Sequence, residues 1–307
     1  MASHTQAHQS IQKPPLDVPP AVKTKHYETT AGITKKLLPV AAFFMAFTTV
    51  MTILIVYMDN TAMRHYQFKV NMSQDYELFG ISQDNAQLIT YIREVHLSPA
   101  IEPNHKPLET EDIILQDTIY VLKLLKNKQG GSFVEAGAYS DGKTSRTEWL
   151  ERKHNWFGLL VQPDPRHYFI LRRHNRKRSQ AVHACLSPTS YPKEVTLHQD
   201  ADGVRVNSIH SDDDWFNTRV KCFPVYSLML AMNVTNIDYF SLDTGGTELQ
   251  VLETIPYDRV RIEVIGVHLT TNDSESNTIK EFLEKKRYSF KQRFNSSYIF
   301  KLNRAKM

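Results

Sequence analysis

The sequence predicts an α/β fold: an open, doubly wound sheet that ends in a C-terminal hairpin and is preceded by one transmembrane helix. Three observations predict it. Residues 37–58, LLPVAAFFMAFTTVMTILIVYM, run 22 positions without a charge, and a helix of that length crosses a hydrocarbon layer of about 30 Å. From Leu115 onward the apolar period switches repeatedly between that of a helix and that of a strand. Hydrophobic residues make up 41% and charged residues 23% of 307 positions, which supplies a core for one domain of about 200 to 250 residues and not for two large ones.

The apolar run defines the first segments. Pro39 falls in its first turn, where a missing amide costs little, and Lys35 and Lys36 stop it at headgroup level. A cleaved signal peptide has a shorter apolar core, of about 7 to 15 residues, with a small-residue cleavage site behind it, so 37–58 reads as an uncleaved signal-anchor. Residues 1–36, with Pro14, Pro15, Pro19 and Pro20, read as a tail. Lys23, Lys25, Lys35 and Lys36 precede the span and only Arg64 and Lys69 follow closely, which places the N-terminus in the cytosol. Everything after the span then faces the lumen or the exterior. There the sequons at Asn71, Asn233, Asn272 and Asn295 become usable. Cys185 and Cys222 are the only cysteines; they exclude a disulfide scaffold or a zinc finger and leave a single disulfide open. Lys and Arg total 37 against 33 Asp and Glu, a net charge of +4 that does not suit wrapping nucleic acid.

Residues 59–108 read as a polar stem, up to about residue 80, followed by a first helix, and 109–307 as the folded domain. Leu115, Ile119, Leu122 and Leu125 mark a helix stripe ended by Gly130 and Gly131. Phe133 to Ala136 is a strand, Ser145 to Lys153 a helix, Gly158 to Val161 a buried strand, Pro165 to Arg173 a helix, and Ala181 to Leu186 a strand. Residues 194–223 contain three short strand patterns, EVTLH, VRVNSI and RVKCF. Tyr226 to Met232 is helical, and Tyr239 to Leu242 and Arg259 to Ile265 are strands around a helix at Thr247 to Thr254. Thr278 to Lys286 is a last helix, and YSFKQ and SSYIFKL pair as a hairpin.

In such a sheet a ligand binds beyond the carboxyl ends of the strands, where the first strand turns into its helix through a glycine and an acid at the end of the second grips a ribose. Glu135 and Gly137 stand at the first place, although Gly137 serves equally as an ordinary strand-end turn. The second place holds Gln162, which is neutral. Asp212-Asp213-Asp214 has the Asp-x-Asp spacing of metal-dependent Golgi glycosyltransferases, but no apolar strand leads into it, so a solvated loop fits better. The run Arg172, Arg173, His174, Asn175, Arg176, Lys177, Arg178 reads as a solvated helix end. Within 109–307 the histidines show no HxxxH or comparable metal spacing, and no Gly-x-Ser-x-Gly elbow occurs.

From about residue 110 to 303 the chain resembles the FkbM-type methyltransferases. The likeness is carried by FVEAGAY, Ser145 and Thr147, WLERK, GLLVQPDP, HACLS, IDYFSLD and the GxELxVL pattern at Gly246. It implies a Rossmann-like methyltransferase sheet, with Glu135, Gly137, Gln162 and Asp243 as the positions that would hold S-adenosylmethionine. Together with the anchor and the CFPVYSLMLAMN segment, the chain is similar to the membrane-anchored Star-like branch. That likeness implies a membrane protein of the endoplasmic reticulum and Golgi that helps export transmembrane growth-factor precursors, ligands of the epidermal growth factor receptor. Several family acids are replaced: the Asp-Gly-Glu after the first strand by Ser140-Asp141-Gly142, the acid ending the second strand by Gln162, and the acid of Asp-x-Glu-Gly by Gly245. Arg146 stands where the family has Asn, while Asp243, Gly246 and Glu248 match. A one-residue shift would let Asp141 serve as the lost acid. Losing a carboxylate that binds ligand hydroxyls or amines costs about 10- to 100-fold in affinity. The expectation is therefore a non-catalytic, type II membrane protein that uses no cofactor and binds a client precursor, with a lumenal S-adenosylmethionine-dependent methyltransferase as the alternative and a Golgi glycosyltransferase behind it. Surfaces for the client are the loop Tyr139 to Arg146 and the basic helix end.

Overall fold

The computed structural model describes residues 27–73, 78–100, 113–200, 203–207, 218–269 and 273–303. It divides into two compact units, Met1–Arg64 and His65–Met307. One helix, α1 (Tyr27–Ser73), dominates the first and runs on into the second. Every side chain from 37 to 58 on it is exposed. A helix that is apolar on all faces has no core of its own to pack and is a candidate membrane span; the most apolar window within Leu37–Met72 has a mean hydropathy of 2.2. Three threonine hydroxyls of the apolar run are satisfied within the helix. Thr48 Oγ1 and Thr49 Oγ1 donate to the Met45 carbonyl at 2.9 and 2.8 Å, and Thr52 Oγ1 to that of Thr48 at 2.8 Å, as hydrocarbon requires of any polar group. The polar stem expected from residue 59 is, through Ser73, the continuation of this helix.

The second unit begins well before residue 109. Met72 is fully buried within it. Helix α2 (Ala86–Tyr91) is capped by Asn85, whose Oδ1 accepts from the amides of Gln87 and Leu88 at 2.9 and 3.1 Å. A π-helical turn (Ile92–His96) and a two-residue strand β1 (Ser98–Pro99) follow. Leu88, Tyr91 and Ile92 pack in one core with Val134, Leu159 and Phe240 of the sheet. This stretch was expected to stand outside the domain and is part of it.

After α3 (Gln116–Leu124) the chain alternates strand and helix: β2 (Ser132–Ala136), α4 (Glu148–His154), β3 (Phe157–Val161), α5 (Pro165–Arg173) and β4 (Ser179–Val182). A small sheet is inserted next, from β5 (Cys185–Leu186), β6 (Lys193–Asp200), β7 (Gly203–Asn207) and β8 (Thr218–Phe223), in the order β5-β8-β6-β7. The main sheet resumes with α6 (Val225–Ala231), β9 (Asn236–Leu242), α7 (Glu248–Thr254), β10 (Arg261–His268), α8 (Asp273–Lys285), β11 (Tyr288–Phe294) and β12 (Ser297–Leu302). Its order is β1-β4-β3-β2-β9-β10-β12-β11. The strands β4, β3, β2, β9 and β10 are parallel neighbours, and β12 lies antiparallel between β10 and β11. The direction of winding reverses between β2 and β9, the switch point at which such sheets open a crevice. The α/β class and the closing hairpin expected from the sequence are both present.

Three expectations shift. The strand around Ala181 to Leu186 is two strands in two sheets, because Cys185 and Leu186 pair with Cys222 and Phe223 of β8. Helix α3 is rotated from the expected stripe: Ile119 is 49% exposed, while Asp117, Thr118, Val121 and Leu122 face inward. The last parallel strand runs three residues further than expected, to His268. Asp212, Asp213, Asp214 and Asn272 lie outside the described residues.

His96 ends the π-helical turn with its ring edge-on to Tyr91 and Phe223, at 5.1 and 4.8 Å between centroids. Burial, and then the positive charges of Lys221 and His183, lower its pKa to about 4. The unfolded chain therefore binds a proton below the ordinary histidine value that the folded chain refuses, and stability falls as pH drops from about 6.5 to 4. Urea midpoints measured at pH 7.5 and 5 should differ more in the native chain than in His96→Phe, which removes the titrating group.

Candidate cofactor site at the strand tips

The crevice begins where β2 ends. Gly137 has φ +79°, and a Cβ there would come within 2.5 Å of the Asp243 carbonyl oxygen and 3.0 Å of the Asp243 Cβ. Only glycine lets the tips of β2 and β9 approach this closely. Gly137 and Asp243, two of the four predicted site residues, thus adjoin at the switch point.

The other two turn away from the crevice. Glu135 is fully buried and accepts from Ser145 Oγ at 2.7 Å, the Arg146 amide at 2.8 Å and Thr147 Oγ1. Gln162, 2% exposed, donates from Nε2 to the Ala138 carbonyl at 2.7 Å and accepts the Asp164 amide at 3.0 Å. Both brace the loop after β2 from beneath. The donor half of that bracket needs an amide, since an ionised carboxylate has no proton to give. Asp141 does not take the place of a lost acid either. It accepts from the amides of Lys143 and Thr144 at 2.8 and 2.7 Å and from Thr144 Oγ1 at 2.6 Å, bonds that outweigh the effect of burial and hold its pKa below the usual value. Glu248 closes the next turn by accepting the amides of Thr244 and Gly246 at 2.8 and 3.0 Å. Burial foremost, with the nearby Asp243 charge, raises its pKa.

Arg146 lies across the remaining tips. Its Nη2 donates to His268 Nδ1 at 2.8 Å, its Nε stands 3.4 Å from Asp117 Oδ2, and its Nη1 stands 3.9 Å from Asp243 Oδ2. Burial alone would raise the Asp117 pKa, but His268, Arg146 and Ser297 together lower it. Thr118 Oγ1 donates to the Arg146 carbonyl at 2.9 Å and so fixes the loop to α3. Asp117 and His268 carried no motif in the sequence. Their place in the site follows from the rotation of α3 and the extra length of β10.

The basic run is not a solvated helix end. Lys177 and Arg178 are exposed, but His174 and Arg176 are each 1% exposed. Arg176 donates to Glu151 Oε2 at 2.8 Å, to the Tyr139 hydroxyl and Ser145 Oγ at 3.0 Å, and to Thr147 Oγ1 at 2.9 Å. Glu151 also accepts the Arg178 amide at 2.8 Å and Ser179 Oγ. Tyr139, in a left-handed conformation at φ 58°, stacks on His174 with ring centroids 3.9 Å apart. One buried cation thereby ties the loop after β2 to α4 and β4.

Among the other predicted sites, Asn71, Asn233 and Asn295 are exposed. Asn233 Oδ1 accepts from Arg93 Nη2 at 2.9 Å, and Asn295 lies between β11 and β12. Cys185 and Cys222 form a disulfide with a Cα–Cα distance of 4.3 Å.

Two substitutions report on the bracing. Gln162→Glu puts a carboxylate against the Ala138 carbonyl and should lower unfolding stability by about 1 to 3 kcal/mol. Arg176→Met leaves the buried Glu151 without its counter-charge and should cost about 3 to 5 kcal/mol. Urea unfolding of both against the native chain checks these values.

The family model described as the methyltransferase FkbM domain matches residues 135–290, and no curated protein matches the chain. Among solved structures, the precorrin-6y C5,15-methyltransferase of Geobacter metallireducens GS-15 is 13% identical, with 62% of this chain and 90% of that one covered at a TM-score of 0.36. The human methyltransferase 10 domain containing protein is 12% identical over 70% and 93%, at 0.34. TrmK of M. capricolum, solved in complex with S-adenosyl-homocysteine, is 11% identical over 62% and 68%, at 0.33. The assignment rests on the family model. Its match begins within β2, ends within β11 and takes in more than half of the 307 residues, so the chain belongs to the FkbM methyltransferase domain family.

Proposed function

We propose that the chain is a membrane-tethered, non-catalytic member of this family, with a cytosolic N-terminus and a lumenal α/β domain that works by binding a client. The observation that carries the reading is the Arg146 guanidinium lying between Asp243, Asp117 and His268 at the tips of β9 and β10. The residues there do not fit S-adenosylmethionine. A cation of the chain already faces Asp243, both Glu135 oxygens are engaged within the loop, and the Gln162 amide is bonded to Ala138 and Asp164. Gly245, where the family has an acid, has φ +72°, so an acidic side chain there would be strained.

The lumenal side is supported by the charge bias across the span, by the Cys185–Cys222 disulfide, which suits an oxidising compartment, and by exposed sequons. The client itself, a transmembrane growth-factor precursor carried from endoplasmic reticulum to Golgi, rests on the likeness to the Star-like branch. The methyltransferase alternative is favoured by one feature, the glycine-dependent contact of Gly137 with Asp243.

Calorimetry of the full-length chain in detergent micelles with S-adenosylmethionine should give no heat of binding. Binding on the order of micromolar together with methyl transfer would replace this reading with the enzyme. In cells, the expressed chain should shift on glycosidase treatment, and its depletion should delay arrival of the precursor at the Golgi. An unshifted chain or normal arrival would count against the lumenal client role.

A further inference from the structure

The contact between Arg146 and His268 depends on one proton. A guanidinium only donates, so His268 Nδ1, 2.8 Å from Arg146 Nη2, must present its lone pair. The ring is then neutral and its proton sits on Nε2, which points toward Asp117 Oδ2 at 3.7 Å. Among the described residues neither Arg146 Nε nor His268 Nε2 has a hydrogen-bond partner, although both are buried. We propose that Arg146 is a releasable plug over the tips of β9 and β10, held while His268 is neutral and expelled when His268 Nδ1 takes up a proton from solvent.

The protonated ring would present an N–H to the donors of Arg146 and set two cations in contact. Among the described residues the groups acting on the ring are Arg146 from the loop after β2, Asp117 from α3, Asp243 from the tip of β9 through its charge, and the Ser296 hydroxyl, 3.3 Å away, from the turn before β12. Once Arg146 swings out, the two carboxylates remain and stabilise the imidazolium. The acid-opened state is therefore electrostatically consistent, and it leaves Asp117 and Asp243 facing an open crevice. Burial foremost, and the Arg146 charge with it, lower the His268 pKa against the pull of these carboxylates, so release belongs on the acid side of the ordinary histidine range.

This rests on and deepens the reading that Arg146 occupies the cofactor crevice, and its test involves neither cofactor nor client, so the two fail separately. Histidine-labelled and arginine-labelled full-length chain in detergent micelles can be titrated by NMR from neutral to acid pH. His268 should titrate below an ordinary histidine, and the protection of the Arg146 Nε proton, its exchange rate relative to free arginine at the same pH, should fall at least about tenfold beyond that midpoint. By reciprocity, Arg146→Gln should raise the His268 midpoint by about one pH unit. His268→Gln, whose carbonyl still accepts from Arg146 but takes up no proton, should abolish the pH dependence of that protection. The His96 resonance reports in the same spectra that each variant is folded. A His268 midpoint unmoved by Arg146→Gln, or Arg146 protection that ignores the His268 midpoint, would overturn the plug.

Discussion

The loop after the first parallel strand is held by a guanidinium with no access to water. Arg176 stands among Glu151, Tyr139, Ser145 and Thr147, and the hydroxyls of Ser145 and Thr147 pass the contact on to Glu135. Burying a charge is tolerable only when nearly all of its hydrogen-bonding capacity is met. The loop therefore has one arrangement that satisfies the cation and both carboxylates. Everything at the strand tips inherits that arrangement, including where Arg146 begins and how far its side chain reaches.

The same constraint separates fold from site. In an open sheet the first turn is normally available to a ligand, because its amides and the neighbouring acids are free. In this chain those acids serve other ends: Glu135 and Asp141 hold the loop, Asp164 caps α5 by accepting the Arg166 amide at 2.7 Å, and Glu248 closes the turn after β9. The apolar strands beneath are those of a ligand-binding sheet. What lies above them is a self-contained polar network, in which Asp243 still meets a positive charge, now supplied from within the chain.

Much of the architecture was legible in the sequence because it rests on periodicity. The strands at Phe133, Gly158 and Tyr239 are short apolar runs bounded by turns, and their burial needs no knowledge of distant partners. The site was legible only in part. Gly137 and Asp243 follow from their places at strand ends, but Arg176 hides in a run of cations of which Lys177 and Arg178 are solvated, and nothing local marks it as buried. Helix α3 shows the same limit from the other side. Counting apolar residues turns Ile119 inward, whereas the helix turns Asp117 and Thr118 inward, because their partners His268 and Arg146 sit more than two dozen residues away along the chain. Polar contacts between distant segments leave no period to read.

The position of β12 bears on how the domain is made. Among the described strands this one is the last to be synthesised, yet it takes an inner place between β10 and β11. Until it arrives, β10 is the margin of the nascent sheet, with Ile262, Val264, Ile265 and Val267 beside a row of unpaired backbone groups. Such a margin invites pairing with other chains. Assembly of this domain thus carries a late window of vulnerability, and a folding helper in the compartment where the domain matures would have its natural point of action there.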